Sequence, residues 1–317
     1  MRGLWHRRPF RHLVIGLAPL LVLGAVLIVV LSVRFDGALR PLQQATGEAT
    51  ATITRSGLGP DCDELELRWT DAGGTQHTST IRVPGVRAIP NTVPLRYVPS
   101  DPSRVYVSGD ETYVRLRNLL YDGFLVGVVL LLAIGVSAVH VARRLAAERR
   151  PGHTVPATHV RSRRGLIHRS WLLLNDADRE WWVPVHWEPV LDSTLAKTPC
   201  TVHGRPLTDR VVVADLHGTP VWQSGRRRPV SPAGEVITAS TLWSKAALRR
   251  AEQADLPPPA GLVRQFRADA ALLAAAPLLG LLWSYLDSSG AGGFVGGTLL
   301  MAGVLFWLPS IIGSDPV

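Results

Sequence analysis

Long uncharged apolar runs alternate along this chain with stretches where apolar and polar residues alternate singly. Residues 13–33 hold no charge. As a helix at 1.5 Å per residue they would span about 31 Å, close to the hydrocarbon thickness of a bilayer. Residues 123–142 form a second such run, with His140 only at its end. Residues 270–286 form a third, between Asp269 and Asp287, and residues 291–312 a fourth. Each run predicts a transmembrane helix. The third is the shortest, and a buried soluble helix is its alternative. Only Asp287-Ser288-Ser289-Gly290 joins the third and fourth, which predicts a tight helical hairpin.

Between the apolar runs the period changes to two, the mark of half-buried strands. Residues 49–54 alternate small and β-branched side chains. Leu65, Leu67 and Trp69 alternate with Glu66, Arg68 and Thr70; residues 71–74 turn and residues 76–83 return, a hairpin. Residues 93–98 are a further strand, restricted by Pro94 to an edge or a strand start. Residues 99–102 turn into a strand over 104–107. The segment after the second apolar run reads alike, with strands over 158–161, 170–174, 181–187, 200–203 and 210–213, and a closing hairpin over 216–222. Ala51-Thr52, Asp71-Ala72 and Pro94 recur as Ala157-Thr158, Asp176-Ala177 and Pro199, at an offset of 105 or 106 residues. Either a duplicated domain or convergent strand patterning gives that offset. Short strands at this spacing favour a small barrel or sandwich. Residues 225–234 read as a basic linker, and residues 241–254 as a helix capped by Ser240 or Thr241 and stopped by Pro257.

Charge orients these elements. Residues 1–12 carry +4, residues 34–122 carry −1, residues 142–267 carry +9 and the rest −3. Basic loops stay inside. The expected organisation is a cytoplasmic basic N-terminus (1–12), helix 13–33, an extracytoplasmic β domain (34–122) and helix 123–142. A cytoplasmic β domain with its linker and a juxtamembrane helix follows (143–267), then helices 270–286 and 291–312 and a cytoplasmic tail (313–317). The fold class is α+β in a membrane protein: four transmembrane helices with two small β-rich, barrel- or sandwich-like domains, one on each side of a plasma membrane. Arg7-Arg8-Pro9-Phe10 resembles a twin-arginine signal, but no A-x-A pattern follows Val33, which predicts an uncleaved anchor. The two cysteines, Cys62 and Cys200, fall on opposite sides in this arrangement. The 46% hydrophobic and 19% charged composition excludes an ordinary soluble globule, and the basic balance is read as orientation rather than nucleic-acid binding.

Candidate chemistry is sparse. No phosphate-binding loop, nucleophile elbow, H-E-x-x-H or C-x-x-C pattern occurs, so no catalytic residue, metal ligand or cofactor is expected. Cys200 and His203 fall on opposite strand faces, which argues against a shared metal. No ionisable residue lies mid-run, which argues against a transport path. The strand 181–187 puts Trp181, Val183, Val185 and Trp187 on one face and Trp182, Pro184 and His186 on the other. Both faces are then covered, or one is a contact surface. Trp182, His186 and Trp187 are the candidate partner-binding residues. Gly292, Gly293, Gly296 and Gly297 form two overlapping G-x-x-x-G patterns for close helix packing, within the chain or between copies.

The ending Val93-x-x-x-Tyr97-x-Pro99-x-Asp101-Pro102-x-x-Val105 resembles a family of bacterial membrane β domains of unknown function. The segments 181–187 and 225–228 resemble those of uncharacterised actinobacterial multi-pass membrane proteins carrying such an extracytoplasmic domain. Thirty-two Arg against two Lys suit a GC-rich genome of that kind. The resemblance implies no catalytic residues. The expected function is a non-catalytic interaction or regulatory component of the cell envelope. Its expected partners are membrane lipid and either another protein or a second copy. An accessory subunit of a membrane enzyme such as a protease, or a transporter component, are the alternatives.

Overall fold

The computed structural model describes residues 2–84, 91–165, 167–176, 179–192, 194, 197–238, 261–287 and 290–315. The expected helix over 241–254 lies outside them. Four helices among the described residues are long and apolar enough to cross a membrane: α1 (Arg8–Gln44), α2 (Glu111–Glu148), α3 (Leu262–Asp287) and α4 (Gly290–Ile312). The first two run well past their apolar cores. At the far end of α1 an Asp36–Arg40 pair, 2.8 Å apart, bridges one exposed turn. Asp110 caps α2, its Oδ1 accepting from the backbone N–H groups of Thr112 and Tyr113. The apolar start of α3 is a 3-10 segment, Ala270–Ala275, before α-helix resumes at Ala276. Pro277 lacks an N–H and crowds the preceding turn, which accounts for the interruption.

The chain forms two compact units, residues 25–129 and residues 1–24 with 130–317. The first contains one antiparallel sheet of five strands: β1 (Gly47–Leu58), β2 (Glu64–Thr70), β3 (Gln76–Arg82), β4 (Thr92–Val98) and β5 (Asp101–Val107), ordered β3-β2-β1-β4-β5. Its edges β3 and β5 come together, so the sheet is curled. Leu65, Leu67 and Trp69 all point inward, as their alternation requires, against Ala51, Leu95, Tyr97 and Val107. Each fully buried large apolar side chain there contributes about 1.5–3 kcal/mol. Asp71 closes the β2–β3 turn by accepting from Thr75 N–H and holding His77 at 2.9 Å. Pro94 does not sit at an edge, since β4 lies between β1 and β5. It is tolerated because pairing with β5 starts only at Leu95, leaving no ladder bond for the missing N–H.

The second sheet comprises β6 (Gly152–Arg164), β7 (Ile167–Asp176), β8 (Arg179–Val185), β9 (Thr198–His203), β10 (Val213–Leu216), β11 (Thr219–Trp222) and β12 (Glu235–Thr238). Their order is β11-β10-β9-β6-β7-β8, with β12 added on β6. It too is curled: isolated bridges Val185–Gln223 and Trp182–Arg228 join β8 to the chain leaving β11. Residues 210–212 are not strand; Val212 N–H instead donates to the Gln223 side chain at 2.8 Å. The closing hairpin is β10–β11.

The two sheets share one plan. Strands β6 to β10 take the order of β1 to β5, and the registers correspond. Thr50 faces Pro94 as Pro156 faces Pro199, and Ile53 faces Leu67 as His159 faces Leu172. Arg96 faces Tyr106 as Thr201 faces Asp215, with the offset widened to 109 on the last strand because residues 210–212 precede β10. The offset of 105 or 106 residues in the sequence thus joins equivalent pairing partners on β1, β2 and β4 with those on β6, β7 and β9, and each sheet follows a long helix.

Within the larger unit the helices pack through small residues. Gly16 of α1 meets Ser310, and Gly303 of α4 meets Leu20, where an added Cβ would lie 2.9 Å from the Leu20 Cα. Gly24 receives the side chain of Leu130 from α2, and Trp307 donates to Ser137 at 3.0 Å. The α3–α4 hairpin closes on Gly280, where a Cβ would lie 2.7 Å from the Thr298 backbone nitrogen, and on Gly297 against Trp283.

Candidate functional site

Most buried polar side chains of the larger unit gather in one layer, where the second sheet meets the helix ends. The start of α1, the end of α2, the start of α3 and the residues just after α4 all contribute. Arg8 and His12, one turn apart on α1, face Gln265 and Asp269, one turn apart on α3. His12 Nε2 lies 2.9 Å from Asp269 Oδ2, with both side chains about 2% exposed. Gln265 Oε1 accepts from Arg8 Nη2 at 3.2 Å, and its Nε2 lies 3.3 Å from His12 Nδ1 and donates to Ser314 O at 3.0 Å. These contacts fit one tautomer: Nδ1 accepts from Gln265 and Nε2–H donates to Asp269. The Arg8 guanidinium also lies 4.3 Å above the Trp187 ring.

A second chain of contacts fixes the residues after α4. The Asp315 carboxylate is fully buried and accepts from Arg161 Nε at 3.0 Å and from Ser170 Oγ at 2.5 Å. Ser170 Oγ is itself 3.1 Å from His159 Nε2. Arg161 also pairs with Asp192 at 2.6 Å, and Arg169 donates to the terminal carbonyl of α4 at Ile312. The serine stands between histidine and carboxylate, whereas a nucleophilic triad places the histidine between the two, with the acid orienting its ring. The trio is a clasp. Space for about one water, near 30 Å³, lies beside Asp269 and Asp315.

The third group binds α2. His140 Nε2 meets His186 Nε2 at 2.9 Å, one ring donating and the other accepting. Arg144 donates to the carbonyls of His140 and Gln223, each at 2.7 Å. Glu148 accepts from Arg7 and from the Trp222 indole.

Burial governs the electrostatics of the sheet side. It pulls His159 down to about 3 and His186 well below the usual imidazole range, so both are neutral at physiological pH. It pushes Glu188 up to about 7, with Arg8, Arg11 and Arg7 opposing the rise. Burial also pushes the Cys200 thiol up to about 12; it is an inert core group.

The residues singled out in the sequence are spread over different surroundings. Trp187 is 1% exposed in the core with Val183 and Val185. His186 is 3% exposed against α2, and Pro184 beside it is also buried. Trp182 alone is half-exposed, and its backbone pairs with Arg228. Both strand faces are therefore covered, and the three residues share no surface. Gly297 packs within the chain, Gly293 and Gly296 are half-buried, and Gly292 is exposed. Among the described residues no three His, Cys, Asp or Glu side chains converge on a metal position. His203 instead holds the Arg150 carbonyl at 2.9 Å.

The layer itself was not anticipated. Its signals were present as His12, Gln265, Asp269 and Asp315, polar residues beside apolar runs at compatible helical spacing. Comparison with protein families, with curated proteins and with solved structures found no match to this chain.

Proposed function

We propose that this chain is a multi-pass plasma-membrane protein that serves the cell envelope as a non-catalytic interaction component, with one β domain on each side. The polar layer carries this reading. Ends of all four long helices meet the second sheet in that layer, which suits four crossings with both termini beside that domain. The second domain and the N-terminus carry the basic excess, which favours the cytoplasmic side for them. One long helix, α2, separates the two sheets in the chain, so a single crossing puts them on opposite sides.

The interaction role is supported by how the buried ionisable groups are used. His12, Asp269, Arg161, Asp315 and Arg144 bond to one another or to backbone and lock the second sheet to the helices. A platform fixed to the membrane in this way suits docking of another protein on its outer surface.

Photo-crosslinking side chains at Trp182 and at Val230, which is 65% exposed, test the reading in cells. The expected result is a discrete protein adduct of reproducible mass, either with another protein or with a second copy. Adducts with lipid alone from both positions would contradict it.

A further inference from the structure

An open cavity of about 1100 Å³ in the larger unit lies between the outward face of α2 and the surface of the second sheet. Its two halves differ in chemistry. Leu131, Leu132, Val136 and Val139 of α2 form an apolar wall, each 45% exposed or more. Gly135 opens the middle of that wall, since an added Cβ there would meet nothing within 4 Å.

The other half is cationic. Arg143 at the end of α2 is joined by Arg210, Arg226 and Arg227 from the sheet, and no Asp or Glu lines the cavity. Arg227 is engaged with the Asp209 and Leu207 carbonyls and lies 5.4 Å from the Trp181 ring. Arg143, Arg210 and Arg226 are exposed, and among the described residues their side chains have no hydrogen-bond or ion-pair partner. Arg143, Arg210 and Arg226 thus face the cavity with no acid in its lining to neutralise them.

We infer that this groove binds one anionic phospholipid, with its headgroup phosphate among Arg143, Arg210 and Arg226 and an acyl chain along Leu131–Val139 of α2. Twelve residues separate Leu131 from Arg143, about 18 Å of helix, against about 15 Å for half the hydrocarbon core. The distance from Leu131 to Arg143 therefore matches the depth of one leaflet, and the arginines fall at headgroup level. Arginine's planar fork suits a phosphodiester, and Trp181 at the rim suits the interface. The inference rests on the membrane reading above and adds a specific ligand to it.

The test uses the full chain in a mild uncharged detergent, equilibrated with phosphatidylglycerol and phosphatidylcholine together, and counts retained lipid by native mass spectrometry. Retention of phosphatidylglycerol should exceed that of phosphatidylcholine by about tenfold or more, since each arginine near the phosphate adds to the preference. The combined Arg143→Gln, Arg210→Gln, Arg226→Gln variant should lose the preference. Gly135→Leu should lose bound phosphatidylglycerol with every arginine intact and an unchanged melting temperature. Excess free glycerol phosphate should not displace the lipid, because it lacks the apolar half. Equal retention of both lipids, an unchanged preference in either variant, or displacement by glycerol phosphate would overturn the lipid site. A chain that stays soluble once detergent is removed would overturn the membrane reading itself.

Discussion

Replacing Asp315 by Ala removes the acceptor at the centre of the clasp that ties the end of α4 to the second sheet. The carboxylate is fully buried and takes hydrogen bonds from Arg161 and Ser170. Stranding a buried hydroxyl costs about 1–3 kcal/mol. Breaking a wholly buried ion pair costs about 3–5 kcal/mol. Arg161 keeps its second partner, Asp192, and is 22% exposed, so its share falls below that range. The expected loss is about 3 kcal/mol. At about 2–4 °C per kcal/mol for a unit of this size, the melting temperature should fall by about 6–12 °C. Asp315→Asn keeps the shape and one acceptor oxygen and should cost less than half as much. Cys200 supplies the readout. It is 1% exposed in the sheet core, so in a Cys62→Ser background a thiol-reactive dye reports unfolding of that domain alone. Labelling of Asp315→Ala at the parent's temperature, within a degree, would refute the clasp.

Glu188 gives a pH-dependent outcome. Its carboxyl ionises near 4.5 when unfolded and near 7 when buried, so stability declines as pH rises through that window, by about 3 kcal/mol in all. Glu188→Gln should match the parent at pH 4.5 and exceed it at pH 8 by tryptophan-monitored unfolding; a variant weaker at pH 8 would show that the arginines hold a true carboxylate. His159 works the other way: the unfolded chain takes a proton near 6.5 and the fold resists it to about 3, so acidification through that range should destabilise the second domain. His159→Gln should flatten that acid limb, and an unaltered pH–stability curve would exclude His159 as its source. In the helical hairpin, Gly280→Leu should abolish stable purification, because its side chain would enter the Thr298 backbone, while exposed Gly292→Leu should leave the monomer's melting temperature within a degree. The reverse order would contradict the packing.

The four apolar runs marked the four helices within a few residues where helix ends and run ends coincide, as at α4. Elsewhere the helices continue because something covers their polar turns: Asp110 caps α2 at one end, and Arg144 and Glu148 are engaged by the sheet at the other. Strand alternation found the hairpins and placed Leu65, Leu67 and Trp69 inside. It could not tell which layer would cover Trp182, Pro184 and His186, because the covering residue His140 belongs to an element 46 positions away. The polar layer was harder still. His12 and Asp269 are 257 residues apart, and neither carries a local signal beyond its place beside an apolar run. The shared plan of the two sheets was visible as an offset, but only the paired registers turn that offset into structure.

Sidedness is the most direct test of the whole account. Cys200 is buried and cannot report it, whereas Cys62 and Leu207 are exposed. An impermeant maleimide applied to intact spheroplasts should label Cys62 in a Cys200→Ser chain. It should spare Leu207→Cys in a chain free of both native cysteines until the membrane is opened. Labelling of Leu207→Cys in intact spheroplasts, or protection of Cys62, would contradict two β domains on opposite sides of a plasma membrane.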